Sequence, residues 1–291
     1  MITVVAHDAG GAEILSSFVR RESMRCLYVL EGPARGIFEQ KLGSIVTLPL
    51  QEGIARSSAV LCGTSWKSDL EFNGIKMARS IGKRSTAFID HWICYQERFE
   101  RGGEICLPDE IWVGDTSAES LAKEAFPKTQ IRVVENPYFE DIKKELAGVR
   151  PQHVSAAGCI SVLYLCEPLD DTYWGYVEED ALRYFLDNLA CLGQPVERIV
   201  VRPHPSELAG KYDWVQHEFT LPIVRGGRRA LVDELAECDV VVGCETMAMI
   251  VGLHAGKRVI SCIPPGGKAC GLPQPEIEHL CDLVGDRPSV R

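Results

Sequence analysis

Several short stretches of the chain place an imidazole, a carboxylate or both directly behind a run of β-branched residues. The first is "AHDAGGAE", residues 6 to 13. Gly10 and Gly11 let the backbone turn sharply and approach a ligand, and a helix starting there would aim free N–H groups and a partial positive charge at it. His7 and Asp8 share that tip, which is more than a tight turn needs; the simpler reading makes Asp8 a helix cap. A second stretch, "FIDHWICYQERF" (88 to 99), sets Asp90 beside His91. The pair offers a general base and an orienting partner, although neighbours on an extended backbone point to opposite sides. Trp92, Tyr95 and Phe99 follow at spacings of three and four, which predicts one helical face of rings packed on the core.

The second half repeats the arrangement. "VLYLCEP" ends on Glu167, a carboxylate at a strand tip that could equally be a solvated loop residue. In "IVVRPHPSE" (199 to 207) the prolines cannot continue a central sheet, so the strand stops near Arg202 and hands over to a stiff, extended tip. Pro203 and Pro205 restrict His204, which suits an imidazole presented to a phosphate or ribose. Arg202 can meet a phosphate as a planar fork, and Glu207 can accept from a ribose hydroxyl. In "DVVVGCETMAMIVGLHAGKRVIS" (239 to 261) a strand ends at Gly243, and Glu245 and Thr246 stand at the start of an apolar helix. Free amides there can receive a phosphate, with Thr246 adding a hydroxyl and Glu245 binding sugar or ribose hydroxyls. Lys268, in the loop "PPGGKACG", could reach the same pocket.

The elements that must position these groups follow a βα rhythm. Strands are predicted over 2 to 6, 26 to 30, 44 to 48, 59 to 63, 85 to 89, 110 to 114 and 131 to 135, with helices over 12 to 21, 70 to 81 and 117 to 125 between them. "AGVRPQHVSAAG" (147 to 158) breaks the rhythm with Pro151, glycines and small residues and reads as a linker. Strands then recur over 161 to 165, 198 to 202, 220 to 224, 239 to 243 and 258 to 262, with a helix over 177 to 192. The expected fold class is α/β, two Rossmann-like parallel-sheet domains facing a cleft, with an N-terminal acceptor-side domain over 1–150 and a nucleotide-sugar-binding domain over 151–291. In such sheets ligands bind beyond the carboxyl ends of the strands, where all of the residues above lie.

Composition removes several classes. The apolar and charged fractions, 46% and 25%, are those of an ordinary globular chain, and a formal net charge of -10 argues against wrapping nucleic acid. An anionic ligand needs a local basic pocket such as "RGGRR" (225 to 229). No apolar run reaches membrane-spanning length and Met1 leads straight into a strand, so a cytoplasmic protein without a transmembrane segment is expected. The 12 cysteines are scattered singly, as buried thiols would be, and neither His91 with Cys94 nor His279 with Cys281 and Cys270 finds the matched second pair of a zinc site. There is no GxGxxG fingerprint and no phosphate lysine after the first glycines.

"RPHPSE" together with "DVVVGCETMAMIVGLHAGKRVIS" resembles the C-terminal half of GT-B glycosyltransferases, and more narrowly bacterial capsule and lipooligosaccharide sialyltransferases, polysialyltransferases and wall-polymer glycerophosphotransferases. In those families a His-Pro pair and a Ser/Thr at a later helix start hold the donor nucleotide, commonly CMP-linked. The resemblance assigns these roles to His204, Pro205 and Thr246. It departs at Cys244-Glu245-Thr246, where paired hydroxyl residues are usual, and the families' acidic base motif is matched only loosely by "HDAGG" and "IDHW". The implied activity is metal- and cofactor-independent transfer from a nucleotide sugar, CMP-linked ahead of UDP-linked, to a glycan or small-molecule acceptor in bacterial surface polysaccharide or glycoconjugate synthesis. Asp8 or Asp90 would be the base, with His7 or His91 as the competing choice. Gly10, Gly11, Glu167, Arg202, His204, Pro205, Glu207, Glu245, Thr246 and Lys268 would line the donor. The alternatives are an isomerase like the nonhydrolysing UDP-sugar 2-epimerases and a non-catalytic nucleotide-sugar-binding subunit; oligomeric state is left open.

Overall fold

A computed structural model describes residues 1–65, 68–169 and 171–285. The chain divides into two compact units, Met1–Asp141 and Ile142–Arg291. In the first, β1 (Ile2–Ala6), α1 (Ala9–Arg21), β2 (Cys26–Leu30), α2 (Gly32–Leu42), α3 (Leu50–Arg56), β3 (Ala59–Cys62), α4 (Leu70–Ser80) and β4 (Arg84–Ile89) come in succession. A short antiparallel ribbon, β5 (Glu100–Arg101) with β6 (Glu104–Ile105), precedes β7 (Glu110–Val113), α5 (Thr116–Ala125), β8 (Gln130–Val133) and α6 (Pro137–Gly148). The main sheet runs β2-β1-β3-β4-β7-β8 with parallel neighbours throughout. Parallel neighbours cannot be joined by a two-residue turn, so the intervening helices are the crossovers that cover the sheet faces. Val4 and Ala6 of β1 are accordingly buried against Ile14 and Leu15 of α1 and Phe38 of α2, and Val5 is buried on the opposite face beside Gly74 of α4. Each of the larger of these side chains contributes about 1.5–3 kcal/mol by leaving water.

The division between units falls inside α6, and residues 149–159 hold neither helix nor strand. The second unit contains β9 (Ile160–Leu165), α7 (Asp171–Trp174), α8 (Glu178–Asp187), β10 (Val196–Arg202), α9 (Val215–Glu218), β11 (Ile223–Arg225), α10 (Leu231–Ala236), β12 (Val240–Gly243), α11 (Met247–His254), β13 (Arg258–Ser261), β14 (Ile277–His279) and α12 (Leu280–Gly285). Its sheet is also all-parallel, in the order β11-β10-β9-β12-β13-β14. β9, at the centre, is buried along its whole length, which explains why "ISVLYL" shows no alternation. No helix among the described residues is long and apolar enough to cross a membrane.

The expected fold class of two parallel-sheet α/β units is therefore present. Four local expectations are corrected. Residues 44 to 48 do not form a strand: they make a single bridge, Tyr28 to Thr47, beside the sheet edge, and Val46 is left 77% exposed. The segment 91 to 99 turns without forming a helix, yet Trp92, Tyr95 and Phe99 are buried as expected, because Phe126 packs with Tyr95 and Phe99 at centroid distances of 6.5 and 5.3 Å. The helix expected over 177 to 192 stops at Asp187, and a separate 3-10 turn covers Leu189–Leu192. α1 starts at Ala9, ahead of the expected residue 12, with Gly10 and Gly11 inside its first turn.

Candidate functional site

Strand order reverses between β1 and β3 in the first unit and between β9 and β12 in the second. At such reversals adjacent crossovers leave in opposite directions and open a crevice beyond the carboxyl ends. In the first unit this crevice collects His7 and Asp8 after β1, Thr64 after β3 and Asp90 after β4. His7 Nδ1 lies 2.7 Å from Asp8 Oδ1, with the two side chains 31% and 33% exposed. An ionised carboxylate only accepts, so this contact puts the proton on Nδ1 and leaves Nε2 as the basic nitrogen. Asp8 stands at the N-cap of α1, but its side chain caps no amide there.

Asp90 is held differently. Its Oδ1 takes a bond from Arg98 Nη1 at 2.7 Å, and the same nitrogen reaches Thr64 Oγ1 at 2.7 Å. Both charged side chains are about nine-tenths buried. Asp90 also explains Gly10: a Cβ there would overlap the carboxylate at Oδ2. A Cβ on Gly11 would come within 3.2 Å of the Gly63 backbone, so the pair of glycines lets α1 close onto the β3 and β4 exits. His91 Nδ1 accepts from the Trp92 N–H at 3.0 Å. Trp92 Nε1 in turn donates to Asp115, whose Oδ1 caps α5 through the Ala118 N–H at 2.7 Å.

Glu71, Arg98 and Asp115 were not singled out by the sequence. Glu71 is buried beneath the first tip, where its Oε1 accepts the His7 N–H at 2.7 Å. Burial pushes its carboxyl up to about 7, against the pull of backbone N–H groups. The available signal was weak, since an acidic residue in the first turn of α4 reads as an ordinary helix-start charge.

In the second unit Glu167 follows β9, His204 follows β10, and Glu245 and Thr246 follow β12. Glu167 Oε1 accepts the Glu245 N–H at 3.0 Å across the strand reversal. Burial pushes the Glu167 carboxyl up to about 8; the Glu245 N–H opposes this, and like charge on Glu245, Glu207 and Glu178 adds to it. Glu245, 3% exposed, is also raised by burial, opposed by the Gly271 N–H that meets its Oε2 at 2.8 Å and by Lys268. Thr246 is the N-cap of α11, with no cap bond from its side chain. Lys268 lies over the rings of Tyr173 and Trp174, its Nζ 3.8 and 4.9 Å from their centroids, and its N–H donates to the Trp174 carbonyl at 2.9 Å.

The "RPHPSE" tip divides its labour. Arg202 Nη1 donates to Glu234 Oε2 at 2.7 Å and to the Arg229 carbonyl at 3.0 Å, so its guanidinium serves the β10–α10 packing. Pro205 is exposed. Glu207, with a side chain only 2% exposed, turns inward: it accepts the His204 N–H and the Tyr212 hydroxyl. A surface hollow of about 700 Å³ along the β2 edge, lined by Arg20, Met24, Tyr28, Leu42, Ile45 and Leu48, contains none of these strand-end residues.

Two successive parallel-sheet units with these strand orders define a GT-B-like fold. The chain is similar in structure to the UDP-GlcNAc 2-epimerase from Neisseria meningitidis bound to UDP-GlcNAc, with a TM-score of 0.61 and 11% identity over 89% of this chain and 82% of that one. A similar likeness holds for the S. aureus MnaA–UDP co-structure, with a TM-score of 0.63, 11% identity and coverage of 89% and 78%. The glycotransferase of kitacinnamycin matches with a TM-score of 0.54 and 13% identity over 98% of this chain and 90% of that one. At these identities the shared property is the fold. No family model matches the chain, and no curated protein matches it in sequence.

Proposed function

We propose that the protein is a nucleotide-sugar-dependent glycosyltransferase whose second unit holds the nucleotide. The observation that carries this is the β9/β12 reversal. There two carboxyls, Glu167 and Glu245, flank the start of α11, and burial raises the Glu167 carboxyl to about 8, which favours its protonated form. A protonated carboxyl can donate to or accept from ribose or sugar hydroxyls without repelling a phosphate at the α11 amides and the Thr246 hydroxyl. His204 and Lys268 add donors for the phosphate; Arg202, held by Glu234, takes no part.

Among the four candidate bases, His7 has the fitting geometry. Asp8 fixes its tautomer, both groups are partly exposed, and Asp90 is already neutralised by Arg98. In the transfer an acceptor oxygen bonds to the anomeric carbon as its proton passes to a base, and the bond from that carbon to the phosphate oxygen breaks, its electrons leaving with the nucleotide. Positive charge at the second unit then stabilises the departing phosphate.

UDP is the favoured nucleotide in place of the CMP suggested by the motif resemblance, because the similar structures from N. meningitidis and S. aureus carry UDP-GlcNAc and UDP. The narrower sialyltransferase likeness and a role in surface polysaccharide synthesis remain part of the proposal only as a source of acceptors to try. Calorimetric titration with UDP, CMP, CDP and GDP is expected to show UDP binding that His204→Ala and Thr246→Val weaken. Binding by none of the four would overturn the reading. Epimerisation is the second reading, favoured by the TM-scores of 0.61 and 0.60 to two structures named as UDP-GlcNAc 2-epimerases against 0.54 to the glycotransferase. Incubation with UDP-GlcNAc alone separates the two: interconversion of UDP-sugars without an acceptor identifies an epimerase.

A further inference from the structure

Glu207 does not face a ligand. Its Oε2 accepts the His204 N–H at 2.7 Å, and its Oε1 accepts the Tyr212 hydroxyl at 2.6 Å and Lys211 Nζ at 3.0 Å. Lys211 is itself anchored to Glu178 at the start of α8. The carboxylate therefore draws together the two ends of the loop between β10 and α9 and, through Lys211, ties that loop to the start of α8, at a side chain withdrawn from solvent.

The imidazole of His204 is fixed from its other end. Nδ1 lies 2.7 Å from Ser206 Oγ and accepts the Ser206 N–H at 3.2 Å. A ring nitrogen that accepts carries no proton, so the neutral ring bears its hydrogen on Nε2. Pro203 and Pro205 limit the backbone on either side of it.

We propose that Glu207 is a positioning residue: with Ser206 it holds His204 as the Nε2–H tautomer, a ready donor to a phosphate oxygen. This role rests on the reading of the second unit as a nucleotide holder. It replaces the ribose contact expected for Glu207 from the sequence. The carboxylate is needed as such, because donors converge on both of its oxygens and an amide presents an oxygen on one side only.

Two readouts on the full chain test this. Nitrogen-15 spectra of the histidine rings are expected to show His204 as Nε2–H, and Glu207→Gln is expected to shift its ring nitrogens toward a tautomer mixture. Tyr212→Phe, which keeps the carboxylate and one cation, should produce a smaller shift and covers the case in which Glu207→Gln does not fold. Unchanged His204 ring signals in the variants overturn the proposal, whether or not any nucleotide binds. For UDP affinity, Glu207→Gln is expected to weaken binding roughly tenfold in the native background and to have no effect when His204→Ala is already present. Additive losses would make Glu207 an independent contact and sink the positioning role while leaving the nucleotide reading intact. If His204→Ala leaves UDP affinity unchanged, the nucleotide role of His204 fails instead.

Discussion

The two strand reversals treat buried acid in opposite ways. In the first unit Asp90 is matched by Arg98 and Thr64, and Asp115 caps α5 while accepting from Trp92. In the second, Glu167 and Glu245 crowd within one backbone hydrogen bond of each other and are met by N–H groups of Glu245 and Gly271, and both carboxyls are raised by burial. A matched ion pair is complete as it stands and serves the fold. A carboxyl that must stay protonated to remain buried is stable only in part of the pH range, and hydroxyl ligands can complete its bonding. The contrast is what the proposed function builds on when it gives Glu167, and not Asp90, a ligand to meet.

Breaking the matched pair should have the largest effect. Arg98→Ala leaves Asp90 charged and uncompensated in a site about nine-tenths buried, and is expected to cost about 3–5 kcal/mol in denaturant titrations, with faster amide exchange in β3 and β4. A loss below ~1 kcal/mol would mean that water reaches Asp90 and that the pair is not what holds the β4 exit.

The crowded pair should respond to pH instead. Glu167 is raised from 4.5 to about 8. Its contribution to stability is thus fully present below pH 4.5 and is lost as pH rises through about 8, because the folded state must then hold a half-buried carboxylate beside Glu245. Glu71 adds a parallel loss ending near pH 7. Glu167→Gln cannot ionise, so its melting temperature should fall less between pH 5 and 9 than that of the native chain, by the equivalent of a few kcal/mol at most. Equal slopes would show that Glu167 is solvated and ionised in the folded state.

A smaller loss tests the capping in the first unit. Asp115→Ala removes both the α5 cap and the acceptor for Trp92 Nε1 and is expected to cost about 1–2 kcal/mol. Asp115→Asn keeps an oxygen for the cap and should recover most of that loss; if it does not, charge matters more there than hydrogen bonding.

What the sequence could show follows the range of the forces involved. Inner strands such as "ITVVA" and "SVLYL" fall on β1 and within β9, because burial on both faces writes an apolar run that is visible in the sequence. "SIVTL" carries the same local signal but lies beyond the sheet edge, where no further strand pairs with it. Each candidate site residue could be placed at a strand tip, since tips are set by where the apolar run stops. Partnerships could not be read: Asp90 with Arg98 across turns, Glu71 with the His7 amide 64 residues away, and Glu207 folded inward depend on side-chain direction, which spacing alone does not encode.

The smallest effect separates the two kinds of site most finely. Lys268 is the cation whose field opposes the rise of Glu245, as Arg98 neutralises Asp90, but it is exposed and rests on Tyr173 and Trp174. Lys268→Ala keeps the backbone bond to Trp174 and removes the cation over the rings, so about 0.5–1 kcal/mol of stability should be lost. With that field gone the Glu245 carboxyl should be raised further, which extends to higher pH the range over which its stabilising contribution is lost. If Lys268 also meets the nucleotide phosphate, UDP affinity should fall by more than this stability loss, and the deficit should shrink with added salt as expected for an exposed charge. A variant that loses stability alone would leave Lys268 as a prop for the loop and confine phosphate binding to His204 and the start of α11.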